Sequence, residues 1–241
     1  ETGNAIVRFN PDGTGLEPAF STAVTRPYGL AFDAAGNLHV SSRQAVGSVV
    51  KLDAAGAAAA TFTGFTLPEA IAFNAAGDLF VAEDAGAIRR LPAGSGTPEN
   101  YSFVSSPVGL AVDSAGDLFV SSSDNSVVYR IGLNRALTVF TMLNRPGGIT
   151  FDESGNLYVS DTARNLINRV SPSGDVSVVA YGISTPRGLA VDPTTHKVYI
   201  ALNRSNAILE IDGDVLKPFV TGIANPLTLT YRNNGLYIGQ P

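Results

Sequence analysis

The 241-residue chain carries 16 Lys and Arg against 21 Asp and Glu, a formal net charge of −5, with 44% hydrophobic and only 15% charged residues. That balance excludes a disordered tail and argues against general nucleic-acid binding. The absence of cysteine excludes a disulfide scaffold, a cysteine-ligated zinc or iron–sulfur site and thiol chemistry. Apolar stretches are short and broken by Gly, Thr, Pro or Asp, so no membrane span is expected. The start at Glu1 rather than Met reads as a processed or engineered start, with any signal peptide already gone.

Two strands are expected first, at 6–9 and 17–20. A pattern of Pro-x-Gly-apolar-Ala/Thr-apolar-Asp then recurs from Pro27, Pro68, Pro107, Pro146, Pro186 and Pro226, spaced 39 to 41 residues apart. After each comes a tight turn of the Asp-Ala-Ala-Gly type and a second apolar run, as in 32–42, 73–83, 112–122 and 151–161. The fifth unit (191–202) has one extra turn residue and the sixth (231–240) lacks one. Leu38 and Val40 alternate with His39 and Ser41, the period of a strand. Third runs fall at 49–52, 88–91, 127–131, 167–170 and 208–211. Fourth runs fall at 59–62, 101–104, 137–140, 176–180 and 216–220.

Four strands per unit of about 40 residues, with no helical stretch, specify an all-β six-bladed β-propeller of four-stranded antiparallel blades. The sixth unit stops after two strands, and residues 1–24 supply only a third and a fourth. Segments 4–13 and 206–215 are also alike. The expected organisation is therefore one domain over 1–241. One composite blade (225–241 plus 1–24) closes the ring. The other blades span about 25–64, 65–105, 106–143, 144–183 and 184–224. Closure removes sheet edges that would otherwise aggregate.

Segments 146–152 (Pro-Gly-Gly-Ile-Thr-Phe-Asp), 155–161 (Gly-Asn-Leu-Tyr-Val-Ser-Asp) and 165–170 (Asn-Leu-Ile-Asn-Arg-Val) resemble NHL repeats. With all six units in register, the chain resembles the NHL-repeat six-bladed propeller family, in the style of bacterial exported proteins. The resemblance implies an extracellular or bacterial cell-envelope location, the periplasm included. It also implies that the starts of the innermost strands and the ends of the second strands share one rim, here called the top. The residues after the six prolines there are Tyr28, Glu69, Val108, Gly147, Arg187 and Leu227. The second-strand ends are Ser42, Glu83, Ser122, Asp161, Leu202 and Gln240. The loops beyond add Arg43, Asp84, Asp124, Arg164 and Arg204, and Arg26 and Arg145 precede their prolines. The opposite face collects Asp33, Asp78, Asp113, Asp117, Asp152 and Asp192, expected mainly as turn formers.

An arginine-rich top favours an anionic or hydrogen-bonding ligand, unless these arginines pair with Glu69, Glu83, Asp84, Asp124 and Asp161 nearby. Glu69 and Arg187 belong to opposite units and are expected to face each other across the pore. The expected function is a non-enzymatic binding or scaffolding module for a protein, peptide, glycan or other polar ligand. Its contact residues are Tyr28, Arg43, Glu69, Asp161, Arg164, Arg187 and Arg204. The tyrosine would stack and the arginines would form charge-assisted hydrogen bonds. No cofactor, no nucleic acid and a monomeric state are expected.

The alternative is a metal-dependent hydrolase or lyase, with a divalent metal such as calcium near Glu69, Glu83 and Asp84. Gluconolactonase-like and paraoxonase-like propellers hold calcium with several rim Glu, Asn and Asp residues. Here only Glu69 matches them, and a hard cation needs six or more oxygen ligands. The three-histidine zinc site of the amidating-lyase propeller is out of reach for a chain with only His39 and His196. His39 falls in a column with Phe80, Phe119 and Tyr158, so it is expected to pack as a strand residue. The tryptophan-rich signature and catalytic histidine of streptogramin lyases are also missing. A third reading, RNA binding, is weakened by the acidic total and by only three lysines, Lys51, Lys197 and Lys217.

Overall fold

The computed structural model describes residues 4–232 and 234–241, so residues 1–3 and 233 of the composite blade lie outside the described residues. In chain order β1 (Ala5–Phe9) and β2 (Glu17–Ser21) come first. Then follow β3 (Pro27–Phe32), β4 (Leu38–Ser42), β5 (Gly47–Leu52) and β6 (Ala58–Phe65), and β7 (Pro68–Phe73), β8 (Leu79–Glu83), β9 (Ala87–Leu91) and β10 (Glu99–Phe103). Next are β11 (Pro107–Val112), β12 (Leu118–Ser122), β13 (Val127–Ile131) and β14 (Leu137–Met142), and β15 (Pro146–Phe151), β16 (Leu157–Asp161), β17 (Leu166–Val170) and β18 (Val176–Tyr181). The last are β19 (Pro186–Val191), β20 (Val198–Leu202), β21 (Ala207–Asp212), β22 (Val215–Thr221), β23 (Thr228–Arg232) and β24 (Gly235–Gln240).

These strands form six four-stranded antiparallel sheets, five of them from consecutive strands. The sixth has the order β2-β1-β24-β23, with β1 paired to β24 from Ala5↔Gln240 to Phe9↔Leu236. Each innermost strand packs against that of the next blade, and β23 returns to β3. The chain is thus a six-bladed β-propeller closed by its two terminal segments. The fourth strand of the first blade runs beyond the expected 59–62, to Phe65. Gly64, at φ 93°, makes a bulge there that lets pairing continue from Ser48↔Thr63 to Gly47↔Phe65.

Burial follows position in the blade. The second strands (β4, β8, β12, β16, β20 and β24) are covered by neighbours on both faces and are almost wholly buried. Strict polar–apolar alternation is lost there because neither face meets water. The outer strands are mostly exposed. The core is divided into six clusters, one at each seam between adjacent blades. At the lower turns Asp33, Asp113 and Asp152 accept the backbone N–H groups of Asn37, Asp117 and Asn156 at 2.8 to 2.9 Å, so their carboxylates shape the turns.

Candidate binding rim

The top rim is set by the residues before each innermost strand. Arg26, Leu67, Ser106, Arg145, Thr185 and Asn225 all adopt φ between 45° and 50°, which turns the chain sharply inward ahead of each proline. Asparagines from the preceding blade hold three of these bends. Asn4, Asn165 and Asn206 accept the N–H groups of Arg26, Thr185 and Asn225 at 2.6, 3.0 and 3.0 Å through their Oδ1 atoms.

The second-strand ends tie the same loops down. Ser42 Oγ donates to Thr25 O at 2.6 Å, Ser122 Oγ to Ser105 O at 2.5 Å and Gln240 Nε2 to Ala224 O at 2.9 Å. Glu83, buried, accepts Thr66 N–H at 2.9 Å. These side chains are framework. Asp161, expected as a rim contact, is also buried, at 0% exposure. Its Oδ1 accepts the Arg164 N–H at 2.8 Å while Oδ2 has no partner. The short aspartate folds back on its own turn instead of reaching the surface.

Inside the rim a channel of about 750 Å³ runs along the axis, with Tyr28, Val108, Arg187 and Leu227 at its upper mouth. Beside Tyr28 lies a quartet that draws on two blades. Arg43 donates from Nε to Glu69 Oε1 at 2.8 Å and from Nη2 to Asp84 Oδ1 at 2.6 Å. Its guanidinium carbon stands 5.4 Å from the Tyr28 ring centroid, a cation–π contact. Glu69 is only 7% exposed. Burial raises its pKa, and the bonds from Arg43 offset that only in part. Burial also raises the Tyr28 hydroxyl, with the Glu69 charge adding to the effect. Glu69 is held by Arg43 and does not line the channel, so it does not face Arg187 across the pore.

Pairing with rim carboxylates therefore holds for Arg43. Arg26, Arg145, Arg164, Arg187 and Arg204 are exposed, and among the described residues none of them makes an ion pair. Asp124 is bonded by Ser106 Oγ at 2.5 Å. Arg187 thus stands unpaired at the mouth, and Arg26, Arg145, Arg164 and Arg204 stand unpaired on the loops of the same face, while the nearby carboxylates are buried or engaged. Among the described residues no three His, Cys, Asp or Glu side chains gather as a cation site. His39 is packed between Phe62 and Phe73, and His196 sits in a lower turn, both away from the rim.

Two rim-positioning residues escape a sequence reading. Ser41 Oγ accepts Gly29 N–H at 2.7 Å and donates to Glu69 O at 2.6 Å, which fixes the starts of β3 and β7 together. Ser121 repeats the device between Gly109 N–H and Gly147 O. The available signal was the recurring Ser one residue before the second-strand end, at 41, 121 and 160.

No protein-family model matches the chain, and no curated protein is similar to it in sequence. Solved structures are similar in fold. A streptogramin B lyase is 15% identical with a TM-score of 0.74, covering 100% of this chain and 82% of that one. A virginiamycin B lyase from Staphylococcus aureus is 18% identical with a TM-score of 0.73, covering 98% and 81%. A chain of a nidogen/laminin complex is 18% identical with a TM-score of 0.74, covering 85% of each. At these identities the likeness establishes the six-bladed propeller fold and no activity.

Proposed function

We propose that the protein is a non-enzymatic binding or scaffolding module, an NHL-type propeller whose top face takes a peptide, glycan or other polar, anionic ligand. The carrying observation is the exposed, unpaired Arg187 at the channel mouth, with Arg26, Arg145, Arg164 and Arg204 exposed and unpaired on the loops of the same face. Guanidinium groups bind carboxylate or phosphate in bidentate fashion. Arg187 lines the mouth itself, and Tyr28, backed by Arg43, offers a ring for stacking. The nidogen/laminin neighbour supports the reading as a propeller found in complex with a protein. An extracellular or cell-envelope location rests on the repeat resemblance.

The test is an array of carboxylated, phosphorylated and sulfated peptides and glycans. Anionic members should bind more weakly as salt rises, and Arg187→Glu should cost them at least tenfold in affinity. An unchanged affinity in that variant would reject the role of Arg187.

The metal-dependent alternative draws on the lyase neighbours. Of its candidate ligands, Glu69 and Asp84 already share Arg43, and Glu83 is bonded to Thr66 N–H. A metal would have to displace Arg43. Under the binding reading a chelator leaves melting unchanged. Stoichiometric metal in elemental analysis, with melting lowered by chelation, would favour the enzyme instead.

A further inference from the structure

One position on the third strand of each blade carries a charge: Arg8, Lys51, Arg90, Arg130, Arg169 and Glu210. Five have a partner. Arg8 pairs with Glu17 at 3.1 Å, Lys51 with Asp33 at 3.3 Å, and Arg90 with Asp78 at 2.9 Å. Arg130 is held by Asp117, and Glu210 takes Lys217 at 2.9 Å. Among the described residues Arg169 alone of the six has no ion pair; it is exposed and lies beside the neutral Tyr158 hydroxyl. Asn156 stands at the turn position where Asp78 and Asp117 hold their arginines, and its Nδ2 donates to Asp152 Oδ2 at 2.8 Å.

The neighbouring outer strand is unguarded. An exposed sheet edge is normally protected by charge or proline. Here β2 carries Glu17 and Pro18, β10 carries Glu99, and β22 carries Lys217 and Pro218. β18 has neither, and it exposes Val176 at 46% and Val178 at 54%. β6 and β14 are also without charge or proline, but their neighbours Lys51 and Arg130 are already taken by Asp33 and Asp117. The bulge at Val179 leaves Val176–Val178 as the regular part of the β18 edge.

We propose that the free edge of β18 docks an extended segment of a partner protein with the local pattern apolar–acidic–apolar. Arg169 is paired with Ser177 across the ladder, so the two side chains share a face. A residue added opposite Ser177 falls on that same face, two strand spacings, about 10 Å, from the Arg169 backbone. An arginine and a glutamate reaching over the small serine span that gap. Residues on either side of the glutamate fall on the opposite face, against Val176 and Val178. Backbone bonds along the edge supply affinity and the side-chain pattern supplies selectivity. Charge also argues for a separate partner rather than a second copy. Two β18 edges paired about Ser177 would set two Arg169 side chains on one face with no acid between them. The site is remote from the rim and independent of the ligand proposed there.

The probe is an eight-residue synthetic peptide with the core valine–glutamate–valine, compared with its glutamine and lysine versions by amide chemical-shift titration of the full chain. The glutamate peptide should shift the amides of residues 176–178 and bind at least fivefold more tightly than the glutamine peptide. Arg169→Glu should reverse the order, so that the lysine peptide binds best. Val178→Lys should abolish binding while melting is unchanged, and Arg187→Glu should leave binding intact. Equal affinity for the three peptides, no binding at millimolar concentration, or shifts confined to the rim would overturn the proposal. Dimerisation through 176–178 that Arg169→Glu abolishes would give the edge to a second copy and overturn it equally.

Discussion

His39 shows how one side chain carries both a packing role and a pH signature. It occupies a position filled by Phe80, Phe119, Tyr158, Tyr199 and Tyr237 in the other blades. Like Phe80, Phe119, Tyr199 and Tyr237 it packs against rings, stacked on Phe62 at 6.0 Å and edge-on to Phe73 at 4.8 Å. The sequence column alone was enough to mark it as packed. Its coupling to Asp33 at 3.3 Å, shared with Lys51, was not legible, because it depends on where a turn folds back. Burial lowers its pKa, and the bond to Asp33 only partly opposes this. An unfolded chain protonates this ring near pH 6.5, whereas the native ring takes its proton at lower pH. Between those two points the unfolded state binds more protons. Stability therefore falls as pH drops from about 6.5 toward the native value, and this contribution is flat below it. Glu69, whose pKa is raised, acts in the opposite direction, so the comparison must be with a variant. His39→Phe, which inserts the residue used at the neighbouring positions, should shrink the loss of melting temperature between pH 7 and pH 5. An identical loss in both proteins would exclude His39 as its source.

At the scale of elements, the seams between blades fix how closely the innermost strands approach. A Cβ added to Gly29 would lie 2.3 Å from Glu69 O, and one added to Gly148 would lie 2.5 Å from Arg187 O. Glycine here serves contact between strands, and φ is not the issue. Gly29→Ala should cost about 1–3 kcal/mol in urea unfolding, the usual penalty for overpacking. It should also disturb Ser41 and the quartet around Arg43, because Gly29 N–H is the donor to Ser41 Oγ. A variant of wild-type stability would show that the seam can open without cost. The strands and their order were legible in the sequence because apolar spacing and turn residues are local properties repeated six times. The rim was legible only as a set of candidates. Which arginine pairs with which acid depends on the seam between blades, as in Arg43 reaching Glu69 and Asp84 on the next blade. Asp161 and Glu83 were assigned to the surface by position, yet their side chains turn inward to satisfy backbone groups.

For the whole molecule, the weak point of a ring is the place where the chain's two ends meet. That seam is held by the β1–β24 ladder and by burial of Ile6, Val7 and Phe9, each worth about 1.5–3 kcal/mol. Two polar links cross to the first blade. Asn4 Oδ1 accepts Arg26 N–H at 2.6 Å, and Arg232 Nη2 donates to Ala34 O at 2.9 Å, with a second bond from Arg232 to Asp33 O. Deleting residues 1–24 removes two of the four strands of the closing blade and bares the edge of β24. That edge reads Gly-Leu-Tyr-Ile-Gly-Gln, without charge or proline, a composition prone to edge-to-edge pairing. The truncated chain should aggregate, with sedimentation showing large species at concentrations where the full chain is monodisperse. Adding a synthetic peptide of residues 1–24 during refolding should restore solubility, since the missing strands need only pair and not be covalently joined. A truncated chain that stays monomeric with unchanged melting would mean that the ladder between the ends contributes little. Ring integrity would then rest on the six seams between blades.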